Sequence, residues 1–122
     1  MKNQKIITPS FFKDKDHPWE TVGEGISRQF VGYDTQIMMV KVKFEKGAQG
    51  YVHDHFHSQA TYVASGKFKV SIDGQEKILE AGDGFYIPPN LPHGAICEEA
   101  GMLIDVFSPI REDFLDIKVN KK

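Results

Sequence analysis

A single cysteine, Cys97, is the whole thiol complement of the chain, so no disulfide can form within it and stability has to come from a packed core. No run of about 18 apolar residues occurs, so no transmembrane helix is expected. The opening residues, MKNQKIITPSFFKDKDHPWE, lack the continuous apolar segment of a signal peptide, and a cytoplasmic location is expected. Positive charge is not in excess: 15 Lys and Arg stand against 17 Asp and Glu. That balance argues against a nucleic-acid partner, which calls for a basic face. Helical periodicity is nearly missing as well. Only PSFFKDK and REDFLDIKV have the composition for a short helical turn. With no repeat, low-complexity tract or linker, the 122 residues are expected to form one domain, its core spanning about 19–115 between short flexible ends.

What the chain does have is strand signal. IMMVKVKF alternates, with Met38, Val40, Val42 and Phe44 on one face and Lys41 and Lys43 on the other. GKFKVSI does the same with Phe68, Val70 and Ile72 inward. Asp73-Gly74 then reads as a type I′ hairpin, because both central residues of that turn need positive φ. QEKILE carries the return strand to a turn at Ala81-Gly82-Asp83, and GFYI is a short strand closed by two prolines. GAICEE and MLIDVFSP read as two further strands separated by EEAG. Turn signals at this density predict an all-β domain, a small antiparallel barrel or jelly roll.

Three of the five histidines fall in GYVHDHFHSQ, at His53, His55 and His57. In a strand, positions i and i+2 share a side, so His53 and His55 can aim two nitrogens at one point. Imidazole suits Zn, Ni, Cu, Fe and Co, and a paired His-x-His is half of a metal site. His17, ahead of a proline in the N-terminal stretch, is expected to be solvated.

These residues resemble the two motifs of the cupins. Gly47, His53, His55 and Gly66 stand at the spacing of the first motif, with Gln59 where it has Glu. Gly82, Pro88 and His93 fit the second, with Asn90 where it has Gly; Asn tolerates the left-handed backbone that position asks for. Cys97 stands where a later Asn is usual. The resemblance implies a cupin barrel holding one divalent ion (Zn, Ni, Mn, Fe or Co) on His53, His55, Gln59 and His93. His57 falls outside that ligand set and is expected at the rim of the pocket or behind the ligands. Three imidazoles and a neutral amide leave the ion's charge uncompensated, which favours polarisation over oxidation chemistry.

LIDVFSPIREDFL is the second informative stretch. Leu103, Asp105 and Phe107 share one strand face. An Asp among apolar neighbours is costly to bury unless it is paired or used. Arg111 follows six positions later. The two can form a buried ion pair, or they can serve as a proton carrier and a carboxylate holder.

This run, together with MMVKVKFEKGAQGYVHDHFHSQATYVASGKF, IPPNLPHGA and HPWETVGEGISRQ, is similar to the pectin-degradation cupins of the KdgF type, from about Trp19 to Leu115. That resemblance implies a metal-dependent, non-redox, isomerase-like conversion of a small 4,5-unsaturated monouronate, from pectin or alginate, into the linear 5-keto-4-deoxyuronate. It implies Asp105 and Arg111 as catalytic residues and Phe107, Arg111 and Gln59 as substrate contacts. A homodimer is expected, since small cupins often pair. Two rivals are a dioxygenase or lyase on the same barrel and a non-enzymatic sugar-binding cupin.

Overall fold

The computed structural model describes residues 6–115; of the expected flexible ends, residues 1–5 and 116–122 lie outside those residues, as does the end of REDFLDIKV. Eight strands make up almost all of it: β1 (Glu20–Gly23), β2 (Ile26–Tyr33), β3 (Met38–Phe44), β4 (Gln49–His53), β5 (Ser58–Ile72), β6 (Gln75–Glu80), β7 (Gly84–Ile87) and β8 (His93–Ser108). A one-turn 3-10 segment at Asp14–Asp16 and a short helix α1 (Glu112–Leu115) are the helical pieces among the described residues; the first overlaps the end of PSFFKDK and the second lies inside REDFLDIKV.

All pairings are antiparallel, in the order β1-β2-β3-β8-β5-β6, with β4 added to β8 and β7 to β5. The two long strands join two halves. Ser58–Ser65 of β5 pairs with the end of β8, which also pairs with β3; Lys67–Ile72 pairs with the start of β8, which also pairs with β4. The path does not close on itself, so the architecture is a jelly roll rather than a sealed barrel.

The EEAG segment is where sequence reading and structure part. It does not separate two strands; β8 runs through it, and the register against β5 shifts between Val63 and Phe68. The bulges bend both strands together at Gly66 and Gly101. A Cβ on Gly66 would stand 2.6 Å from Gly101 Cα, and its φ is +85°. The acidic pair Glu98-Glu99 that suggests a loop is simply exposed at the bend. The hairpin at Asp73-Gly74 forms as expected, with φ of 51° and 84°. Strands β1 and β2 went unread, because β2 is half-buried along nearly its whole length and so does not alternate.

The core lies between the two halves. Phe44 of β3 and Phe68 of β5 meet edge-to-face at 5.2 Å, with Val63, Val70, Cys97 and Leu103 around them. Gln29 on β2 is buried and donates to the Asp14 and His17 carbonyls, which ties the N-terminal segment down. The registers align inward rows across the strands. One row runs Phe30, Val40, Asp105, Thr61, Phe85; the next runs Met38, Phe107, Gln59, Ile87.

Candidate active site

The end of β4, the start of β8 and the loop after β4 bring His53, His93 and His55 together. One nitrogen from each lies within 4.8 Å of the others. The reason given from spacing alone needs correcting: His53 ends β4, and His55 stands in the loop beyond it. Convergence comes from the turn of that loop, not from strand parity.

Each imidazole is held by a backbone carbonyl. His53 Nδ1 lies 2.8 Å from Tyr51 O, His93 Nδ1 2.8 Å from Leu91 O, and His55 Nδ1 3.0 Å from His57 O. A carbonyl only accepts, so each Nδ1 carries a proton, and in a neutral ring Nε2 then carries the lone pair. Burial pulls the His55 and His93 pKa values below the usual range, which favours the neutral form of both rings. His93 Nε2 is buried with no hydrogen-bond partner among the described residues.

Gln59, inward on β5, completes the donor set. Its orientation follows from a chain of bonds. Thr61 Oγ1 donates to Asp105 Oδ1 at 2.7 Å; having given its only proton, it accepts from Gln59 Nε2 at 2.9 Å. Gln59 Oε1 therefore faces His55 Nε2, at 3.0 Å. Two acceptors at that distance repel unless a cation engages both. The orphaned lone pair of His93 and this acceptor pair together fit a bound divalent ion, for which His53, His55, Gln59 and His93 are the available ligands. Gly47 and Gly66 have positive φ, and Asn90, standing for a glycine, has the expected left-handed backbone with φ of 70°.

Asp105 does not pair with Arg111. Arg111 Nε and Nη2 instead clasp Asp113 at 3.0 and 2.8 Å, and its guanidinium packs 5.0 Å from the Phe107 ring centre and 4.1 Å from that of Phe114. Burial opposes the charge on Asp113, yet the Arg111 contact holds its carboxyl below the usual range. Asp105 is pushed up to about 6, chiefly by burial, with the Thr61 bond and the Arg111 charge pulling the other way. Burying it costs about 3 kcal/mol at neutral pH, close to what one fully buried Phe contributes, so the core can sustain it.

Asp105, Gln59, His53, His93, Phe107 and Arg111 all border one cavity of about 320 Å³ between the two halves. His55 borders a second cleft, with His57, Arg111 and Asp113. His57 is buried, stacked on Phe56 at 3.9 Å and edge-on to His55 at 5.4 Å, so it stands behind a ligand position rather than in the cavity. Thr61 and Arg28 belong to this region too, and neither was singled out from the sequence. The inward parity of Thr61, two residues past Gln59, was the available signal.

Residues 40–107 match the family model described as the cupin domain. The chain is also 46% identical over 107 residues to the pectin degradation protein KdgF of Dickeya dadantii, covering 86% of this chain and 97% of that one. The chain belongs to the KdgF family of cupins. Solved cupins agree in fold. A structure of KdgF from Halomonas sp. superposes with a TM-score of 0.84 at 41% identity, over 88% of this chain and 99% of that one. An RmlC-like cupin from Shewanella frigidimarina gives 0.87 at 48% identity, over 88% and 97%.

Proposed function

We propose that this cupin holds one divalent ion on His53, His55, Gln59 and His93 and converts a 4,5-unsaturated monouronate into the linear 5-keto-4-deoxyuronate. The observation that carries the reading is the chain Gln59–Thr61–Asp105. It links the metal side of the cavity to a half-buried carboxyl whose pKa is about 6, with Arg111 on the same cavity wall. The kinship with a pectin degradation protein supports the substrate class. Lyase cleavage of pectin or alginate leaves sugars of this kind.

Substrate and product are isomers, so the conversion needs neither oxygen nor an electron acceptor. The C1–O5 bond breaks, the C1 hydroxyl loses its proton to become the aldehyde, and the ring oxygen stays on C5 as an enol. A proton added at C4, with loss of the enol proton, gives the C5 ketone. Asp105 is the group that takes and returns a proton, since both of its forms are populated near pH 6. Arg111 is held in place by Asp113 and offers its remaining N–H groups to the substrate carboxylate. Phe107 presents an apolar ring edge to the sugar. A bound ion supplies electrophilic polarisation of substrate oxygens, undiminished by the neutral Gln59.

The test is loss of ultraviolet absorbance from the C4=C5 double bond under nitrogen, with metal-loaded protein and unsaturated monouronates from pectin and alginate. The expected result is decay faster than the spontaneous rate. Decay at the spontaneous rate overturns the assignment, and a requirement for oxygen points instead to a dioxygenase.

A further inference from the structure

Six polar side chains border the main cavity: Arg28, His53, Gln59, His93, Asp105 and Arg111. Five of them have a task in the proposed reaction, and Arg28 has none. The rest of the lining is apolar side chain and glycine. Arg28 comes from β2, opposite Val42 of β3, whose other neighbour is Leu103 of β8. The order β2-β3-β8-β5 therefore sets Arg28 and Gln59 on opposite flanks of Asp105.

The Arg28 side chain is 15% exposed. Its Nε donates to Glu20 Oε1 at 2.8 Å and its Nη2 to the Phe114 carbonyl at 3.1 Å. Among the described residues Nη1 has no protein partner. The guanidinium lies 4.4 Å from the Phe114 ring centre, so that ring is shared between Arg28 and Arg111. The fork is thus held rigid with donors to spare.

A uronate brings several hydroxyl groups besides its carboxylate. A hydroxyl buried against carbon without a partner costs about 1–3 kcal/mol. A cavity that takes such a sugar has to supply donors away from the carboxylate end, and Arg28 is the unassigned polar side chain in the lining. We propose that Arg28 is a substrate-binding residue that donates from its guanidinium to the hydroxyl edge of a sugar acid whose carboxylate lies toward Arg111. This rests on the uronate reading of the same site. It makes Arg28 the group that distinguishes a sugar acid from a plain carboxylate.

The test uses metal-loaded protein and two inert probes, galacturonate and acetate, with affinities measured by calorimetry or NMR titration. Wild type is expected to bind galacturonate more tightly than acetate. Arg28→Met keeps the apolar stem against Phe114 and removes the donors. It should weaken galacturonate by about tenfold or more and leave acetate unchanged. Equal weakening of both probes means that Arg28 acts only through Phe114 on Arg111, and overturns the proposal. No change in either, or a wild type that binds the two alike, also overturns it. Melting temperature and metal content establish that the variant is folded; should it not be, Arg28→Leu, which likewise removes the donors, replaces it with the same two criteria. Failure of the ring-opening reading would show separately, as a wild type without turnover, and would leave these binding comparisons intact.

Discussion

His55 Nε2 and Gln59 Oε1 face each other at 3.0 Å with a lone pair on each. Their backs are fixed, the imidazole by the His57 carbonyl and the amide by Thr61, so neither can turn away without breaking a bond. A cation converts this repulsion into attraction. Adding Zn, Ni, Mn, Fe or Co to metal-free protein is expected to raise the melting temperature, by about 2.7 kcal/mol of stability at a hundredfold excess over Kd. Elemental analysis should find one ion per chain in wild type and none in the His53→Ala/His55→Ala double variant. Full occupancy in that variant would place the ion elsewhere.

Asp105 makes stability depend on pH in an unusual direction for a carboxylate. Its pKa in the fold, about 6, lies above the ordinary 3.8, so the folded protein binds the proton more readily than the unfolded chain. The stability this contributes is complete below about pH 4 and is lost as pH rises through 6. In the metal-free protein, Asp105→Asn should therefore be more stable than wild type at pH 8, by up to about 3 kcal/mol, and no more stable at pH 4. Denaturant titrations at the two pH values measure this. An equal difference at both would mean that Asp105 does not titrate in the fold.

Thr61 is the joint between the two halves of the site. Its hydroxyl lowers the Asp105 pKa and fixes the Gln59 amide, although burial of Asp105 remains the larger influence. Thr61→Val keeps the shape and deletes both bonds, which should cost about 1–3 kcal/mol. The Asp105 carboxyl, followed by carbon-13 NMR, should then titrate above the wild-type value. An unmoved titration would show that the hydroxyl plays no part in setting it.

Much of the site could be read before the fold was seen, and the reasons differ by residue. The grouping of His53, His55 and His93 was legible because the histidines of the cupin motifs recur at fixed spacings. Asp105 was legible because a charge on an inward strand face is costly and so conspicuous. The turns at Asp73-Gly74 and Asn90 were legible because few residues accept positive φ. The Arg111 partner was not: Asp105 and Asp113 both lie within a few residues, and only the path of the chain after Ser108 selects Asp113. Arg28 was hidden by its strand, since β2 has no alternating pattern to mark its inward face. The continuity of β8 was hidden by a bend that has the composition of a loop.

The account's central claim is that Asp105 carries the proton in a ring opening that takes place beside the metal site. The most direct measurement is turnover of a 4,5-unsaturated monouronate by metal-loaded Asp105→Asn, set against wild type and the spontaneous rate in the same buffer. Asn is nearly isosteric and still accepts the Thr61 hydrogen bond, so metal content and fold should be retained. Turnover should fall by roughly a hundredfold or more. Wild-type turnover in a variant that keeps its metal would contradict the claim and assign the proton to another group.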